Sequence, residues 1–172
     1  MTKPSMTPTG VTQTRRNRSA LTRGTWVLVA DGEKALLLEN IGDADIPLLE
    51  VRRERHGDNP PTHEQGTDRP GRRSDGPGAQ RSAMEETDWH RLEKERFAAE
   101  LAAMLYRRAH ADRFDRLIVV APPRVLGALR KDIHKEVAAR VVAEVALDLT
   151  NHPVDEIAAR VSAATLPEGL PD

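Results

Sequence analysis

The chain reads as an α/β protein built on a mixed five-stranded sheet with helices on both faces. Short β-branched runs joined by turn residues fill the first third, as an antiparallel meander requires. In the second half, strands alternate with helix-period segments, which calls for parallel pairing through right-handed crossovers. Between the halves, residues 53–86 carry almost no large apolar side chain and many Gly and Arg. A structureless stretch of that length inside a domain is uncommon and usually functional or disordered.

The first strand is Thr25-Trp26-Val27-Leu28-Val29-Ala30, bounded by Asp31-Gly32. Asp-Gly between two apolar runs is a hairpin signal, because both central residues can take positive φ. Residues 34–39 are the returning strand, and residues 46–51 add a third after Gly42-Asp43. The long loop follows. A helix capped near Thr87 or Asp88 runs to about Ala109, with Trp89, Phe97, Leu101, Met104 and Leu105 on one side at 3.6 periodicity. Arg116-Leu117-Ile118-Val119-Val120-Ala121 is a near-continuous apolar strand, the pattern of one buried on both faces. Pro122-Pro123 ends it and starts a helix in which Val125, Leu126, Leu129, Ile133 and Val137 share a face. Residues 141–149 make a last strand, with Val141, Ala143, Val145 and Leu147 on one side. A final helix begins around Pro153, with Asp155 and Glu156 complementing its dipole.

The chain of 172 residues fits one domain, residues 25–166, between a basic disordered tail (1–24) and a frayed end (167–172). From Met1 to Gly24 there are Lys3, Arg15, Arg16, Arg18 and Arg23 and no acidic residue, although the formal net charge of the whole is −1. That stretch has no apolar core of a secretory signal, and no window approaches the ~20 apolar residues of a membrane span. With no cysteine, disulfides and thiolate zinc sites are excluded, and a cytoplasmic location without membrane insertion is expected. His56, His63 and His90 do not stand at metal-ligand spacing, so neither metal nor other cofactor is expected.

The element order β-β-β, loop, α-β-α-β-α is compatible with a ribonuclease-H-like fold. Trp26-Val27-Leu28-Val29-Ala30-Asp31-Gly32, Asp68-Arg69-Pro70-Gly71-Arg72, the run from Phe114 through Ala121-Pro122-Pro123-Arg124 to Gly127, and Glu144-Val145-Ala146-Leu147-Asp148-Leu149-Thr150 resemble a known family. It is the bacterial host-attachment proteins, grouped with relatives of the middle domain of the eukaryotic and archaeal-type peptide release factors. The resemblance implies that middle domain's fold, an adhesion-linked role involving host-cell surface factors, and kinship with proteins that act at the ribosome. Release factors carry Gly-Gly-Gln on a loop before a helix, and Gly78-Ala79-Gln80 stands at the corresponding place. By resemblance Gly78 bends the backbone and Gln80 positions water and oxyanion. Ala79 departs from the pattern, and alanine is penalised wherever positive φ is needed.

Binding is therefore favoured over hydrolysis, with ribosomal or other structured RNA as the partner. Arg69, Arg72, Arg73 and Arg81 offer guanidinium forks for phosphate oxygens, while Gly76 and Gly78 allow close backbone approach. Against this, a charge run is ordinarily a solvated surface, and Asp68, Asp75, Glu85 and Glu86 partly neutralise it. Gln80 is the catalytic candidate for codon-independent peptidyl-tRNA hydrolysis; more simply it is a polar residue ahead of a helix. A two-metal nuclease needs converging carboxylates. Asp31, Asp148 and Glu144 are the ones to test for convergence, and Asp31 reads first as a turn residue. Thr150-Asn151-His152-Pro153 reads as a helix cap.

Overall fold

A computed structural model describes residues 19–57 and 79–166, with the backbone alone for residues 79–87. The strands are β1 (Trp26–Ala30), β2 (Lys34–Asn40), β3 (Leu49–His56), β4 (Leu117–Val120) and β5 (Val141–Val145). The helices are α1 (Ala79–His110), α2 (Pro123–Asp132), α3 (Lys135–Ala138) and α4 (Val154–Ala164). They form one mixed five-stranded sheet in the order β3-β2-β1-β4-β5. β1, β2 and β3 pair antiparallel, whereas β1–β4 and β4–β5 are parallel. This is the expected meander joined to a crossover half.

Every residue of β1 and β4 is buried, because helices cover both faces of the two central strands. On one face Trp26, Leu28, Leu37, Leu117 and Val119 pack with Phe97, Leu101, Leu105, Leu126 and Leu129 of α1 and α2. On the other, Val27, Val29, Leu38, Ile118 and Val120 meet Ile157 and Val161 of α4. Leu21 is fully buried in that second layer, although it falls within the stretch read as tail.

The turn after β1 works differently from the expectation. Among the described residues only Gly24 and Asp112 have positive φ, so Asp31-Gly32 does not. Instead Asp31 Oδ1 accepts the backbone N–H of Glu33 at 2.7 Å and of Lys34 at 2.6 Å, a side-chain mimic of a backbone turn.

β3 lies later than residues 46–51 and runs on to His56. Asp43 Oδ1 accepts from the N–H groups of Asp45 and Ile46, which holds Ile46 in the turn. The strand that follows is an edge strand, paired on one side only, and its Arg-Arg-Glu-Arg-His run needs only backbone ladder bonds. Cross-strand ion pairs Arg52–Glu39 (2.8 Å) and Lys34–Glu54 (3.4 Å) line it.

α1 begins at Ala79, about two turns before the expected cap. Ala, Gln, Arg, Met and Glu dominate its first residues and propagate a helix through Thr87 and Asp88. Residues 88–92 are all exposed, so this part of α1 stands clear of the sheet. Trp89 is 56% exposed and leaves the core to Phe97, Leu101, Met104 and Leu105.

The helix after β4 breaks at Ile133, which is extended (φ −66°, ψ 124°), and His134 Nδ1 accepts from Glu136 N to start α3. β5 stops at Val145, short of Leu149. Its register slips by one residue at Val142, so Val141 packs on the α1 face and Ala143 on the α4 face. A one-residue slip reverses side-chain facing, which is why simple alternation failed there. Among the described residues no helix is long and apolar enough to cross a membrane.

Candidate functional site

Arg69, Arg72, Arg73, Gly76 and Gly78 lie outside the described residues. Gln80 and Arg81 are the second and third residues of α1, so Gln80 belongs to the helix rather than to the loop before it. Ala79 opens that helix, where alanine is the most favoured residue.

The carboxylates converge only in part. Thr150 Oγ1 donates to Asp31 Oδ2 at 2.7 Å, and Asp148 Oδ1 lies 3.0 Å from the same hydroxyl. Thr150 is almost wholly buried and ties the turn after β1 to the segment after β5, at the carboxyl ends of the two parallel strands that flank β4. It does not cap α4, whose N-cap Pro153 has no side-chain bond. Burial opposes the Asp31 charge. The Thr150 hydroxyl, the two backbone N–H groups and Lys34 outweigh it and hold the carboxyl below its ordinary range. Glu144 is drawn away by Arg130, whose Nε donates to it at 2.8 Å. Among the described residues no group of three or more carboxylate or histidine side chains is arranged to hold a metal. Two carboxylates around one hydroxyl clasp the turn after β1 to the segment after β5.

Among the described residues a cluster of positive charge lies elsewhere. Where β3 runs beside the C-terminal half of α1, Arg53, Arg55, Arg107, Arg108 and Arg113 line an open groove of about 250 Å³ together with Met104 and Ala111. The local sequence explains each position. Arg53 and Arg55 pair with Leu37 and Ala35 of β2, residues that face α1, so period two sends both arginines to the helix side. Arg107 and Arg108 occupy the last turn of α1, where the macrodipole favours cations. Arg113 follows Asp112, whose positive φ of 49° turns the chain off the helix.

Arg55 approaches Glu100 at 3.8 Å. Among the described residues, no carboxylate lies within ion-pair distance of Arg53, Arg107, Arg108 or Arg113. Arg108 stacks its guanidinium 5.6 Å above the Trp26 ring. Burial, then the charges of Arg53, Arg113 and Arg107, push Arg108 below its usual value, though a guanidinium stays protonated at neutral pH. Such a set of forks suits a bound anion, and phosphate oxygens above all.

Sequence reading missed this groove because it ended the third strand at Val51 and gave Arg53 and Arg55 to the loop. Had the strand been carried to His56, the in-phase arginines would have marked a cationic inner face. The pairing with residues more than fifty positions downstream is visible only in three dimensions.

The sequence model of the bacterial archaeo-eukaryotic release factor family 12 matches residues 24–161. That span contains the whole sheet, the arginine groove and the segment around Gln80. No curated protein matches the chain.

Proposed function

The chain belongs to the bacterial archaeo-eukaryotic release factor family 12, and from that membership we propose a non-enzymatic, translation-associated module that contacts ribosomal or other structured RNA. The observation that carries this reading is the groove of five arginines, which among the described residues meets one carboxylate, Glu100. Phosphates dominate the affinity of RNA-binding surfaces, and unpaired guanidinium groups converging from two elements are what such contacts use. Arg69, Arg72, Arg73 and Arg81 extend the proposed contact, with Gly76 and Gly78 allowing close approach, in a cytoplasmic setting. Peptidyl-tRNA hydrolysis through Gln80 is the enzymatic alternative.

Co-sedimentation with ribosomes over a salt series tests the proposal. Association should weaken steeply as salt rises, and Arg53→Gln/Arg107→Gln/Arg113→Gln should flatten the salt slope. No association at low salt, or an unchanged slope in the triple variant, removes the reading. Release of peptide from peptidyl-tRNA by the native protein but not by Gln80→Ala would transfer the assignment to the enzymatic alternative. A role in host attachment is separated by fractionation: display on the cell surface would favour it.

A further inference from the structure

We propose that the groove between β3 and α1 is a discrete binding site for linked phosphoryl groups, rather than a diffusely basic surface. The inference rests on the RNA-facing reading above but makes a narrower claim. Its cations come from a strand, a helix end and the turn beyond it, so they converge on one open groove from more than one direction. Four of the five have no carboxylate partner among the described residues, so within that set the guanidinium groups chiefly repel one another. Arg108 rests its guanidinium over the Trp26 ring, 5.6 Å from the centroid, a contact that favours its place in the groove. Met104, which is buried, gives the groove one apolar wall beside the charges. A volume of about 250 Å³ exceeds the need of a single water many times over and accommodates two adjacent phosphoryl groups. The shared chemistry is a run of phosphate oxyanions, whether in a polynucleotide backbone or in a free polyphosphate.

Trp26 supplies the readout. Two tryptophans are present, so in the full-length Trp89→Phe variant the indole emission comes from Trp26, which touches Arg108. That protein is titrated with sodium pyrophosphate, a ten-nucleotide oligouridylate and hexaglutamate, at ionic strength held constant with sodium chloride. The phosphate ligands should give a saturable change, weakened at least tenfold by Arg108→Gln and by the pair Arg53→Gln/Arg113→Gln. Arg160→Gln, which removes a cation paired with Glu156 on α4, should match the parent. Tighter binding of the oligonucleotide identifies a polynucleotide source, and equal or tighter binding of pyrophosphate a free polyphosphate; either supports the site.

A change no different from chloride, or tighter binding of hexaglutamate, overturns it. Should Arg108→Gln not fold, the Arg53/Arg113 pair carries the test. Melting adds a signature that a structural role would not produce: the pair should melt higher than the parent without anion, and added pyrophosphate should raise the parent more than the variant. A lower melting point in the pair would overturn the self-repulsion on which the site depends. Ribosome sedimentation separates the two claims. Pyrophosphate binding without sedimentation sinks the RNA reading alone, whereas groove-dependent sedimentation with no saturable binding of either pyrophosphate or oligouridylate sinks the discrete site alone.

Discussion

Replacing Thr150 by valine keeps the side-chain shape and removes a single hydroxyl. That hydroxyl donates to Asp31 Oδ2 at 2.7 Å, while Asp31 Oδ1 is already engaged by the N–H groups of Glu33 and Lys34. Thr150 is 1% exposed, so no water replaces the lost proton at its position. A hydrogen bond to a charged group contributes ~1.5–3 kcal/mol, and partial exposure of Asp31 places the loss near the lower end, about 1.5–2 kcal/mol at pH 7. For a domain of this size that is a fall in Tm of roughly 3–8 °C.

The pH dependence follows from the direction of the Asp31 shift. Its carboxyl titrates below the ordinary value, so its stabilisation is complete above the unfolded-state pKa of ~4. That stabilisation disappears as pH falls through the lower folded-state value. Valine weakens the depression, so the gap between the two proteins should be widest near neutrality and close in acid. Urea unfolding followed by tryptophan emission at pH 7 and at pH 3 measures both terms. A loss below ~0.5 kcal/mol at pH 7, or the same loss at both pH values, would refute the clasp. Thr150→Ser should retain most of the bond.

Leu101 is 1% exposed in the layer between α1 and the sheet, so Leu101→Ala should cost ~3 kcal/mol in chemical denaturation. Gly24→Ala should cost about 1 kcal/mol although nothing crowds a new Cβ, because φ is +78° there; thermal melting reports it. Trp89→Ala should change stability by less than about 0.5 kcal/mol, since the ring is 56% exposed, whereas a core tryptophan would cost several times more.

What was legible in the sequence was whatever burial alone dictates. β1 and β4 are covered on both faces, and their runs of Val, Leu and Ile reported it directly. The two-proline start of α2 and the acidic first turn of α4 were equally plain. The edge strands were not. β3 presents Glu50, Arg52, Glu54 and His56 to solvent, so its backbone pairing leaves no hydrophobic trace. In α1, the Thr87-Asp88 cap signal lost to the helix formers before it, because caps stabilise ends but do not create them. For the candidate site, the sequence pointed to Arg69, Arg72, Arg73 and Arg81, of which the first three lie outside the described residues. The described cluster is a different set, brought together by the packing of β3 against α1.

The slips of register carry one more implication. They fall between Leu37 and Leu38 opposite β3 and at Val142 in β5, which are the two outermost strands. An unbroken outer strand offers a template on which a stray chain can add itself, the first step toward fibrils. Here each margin is kinked, and one is also studded with alternating charge. The sheet is thereby protected against growth at both sides, independently of whatever its helical layers hold.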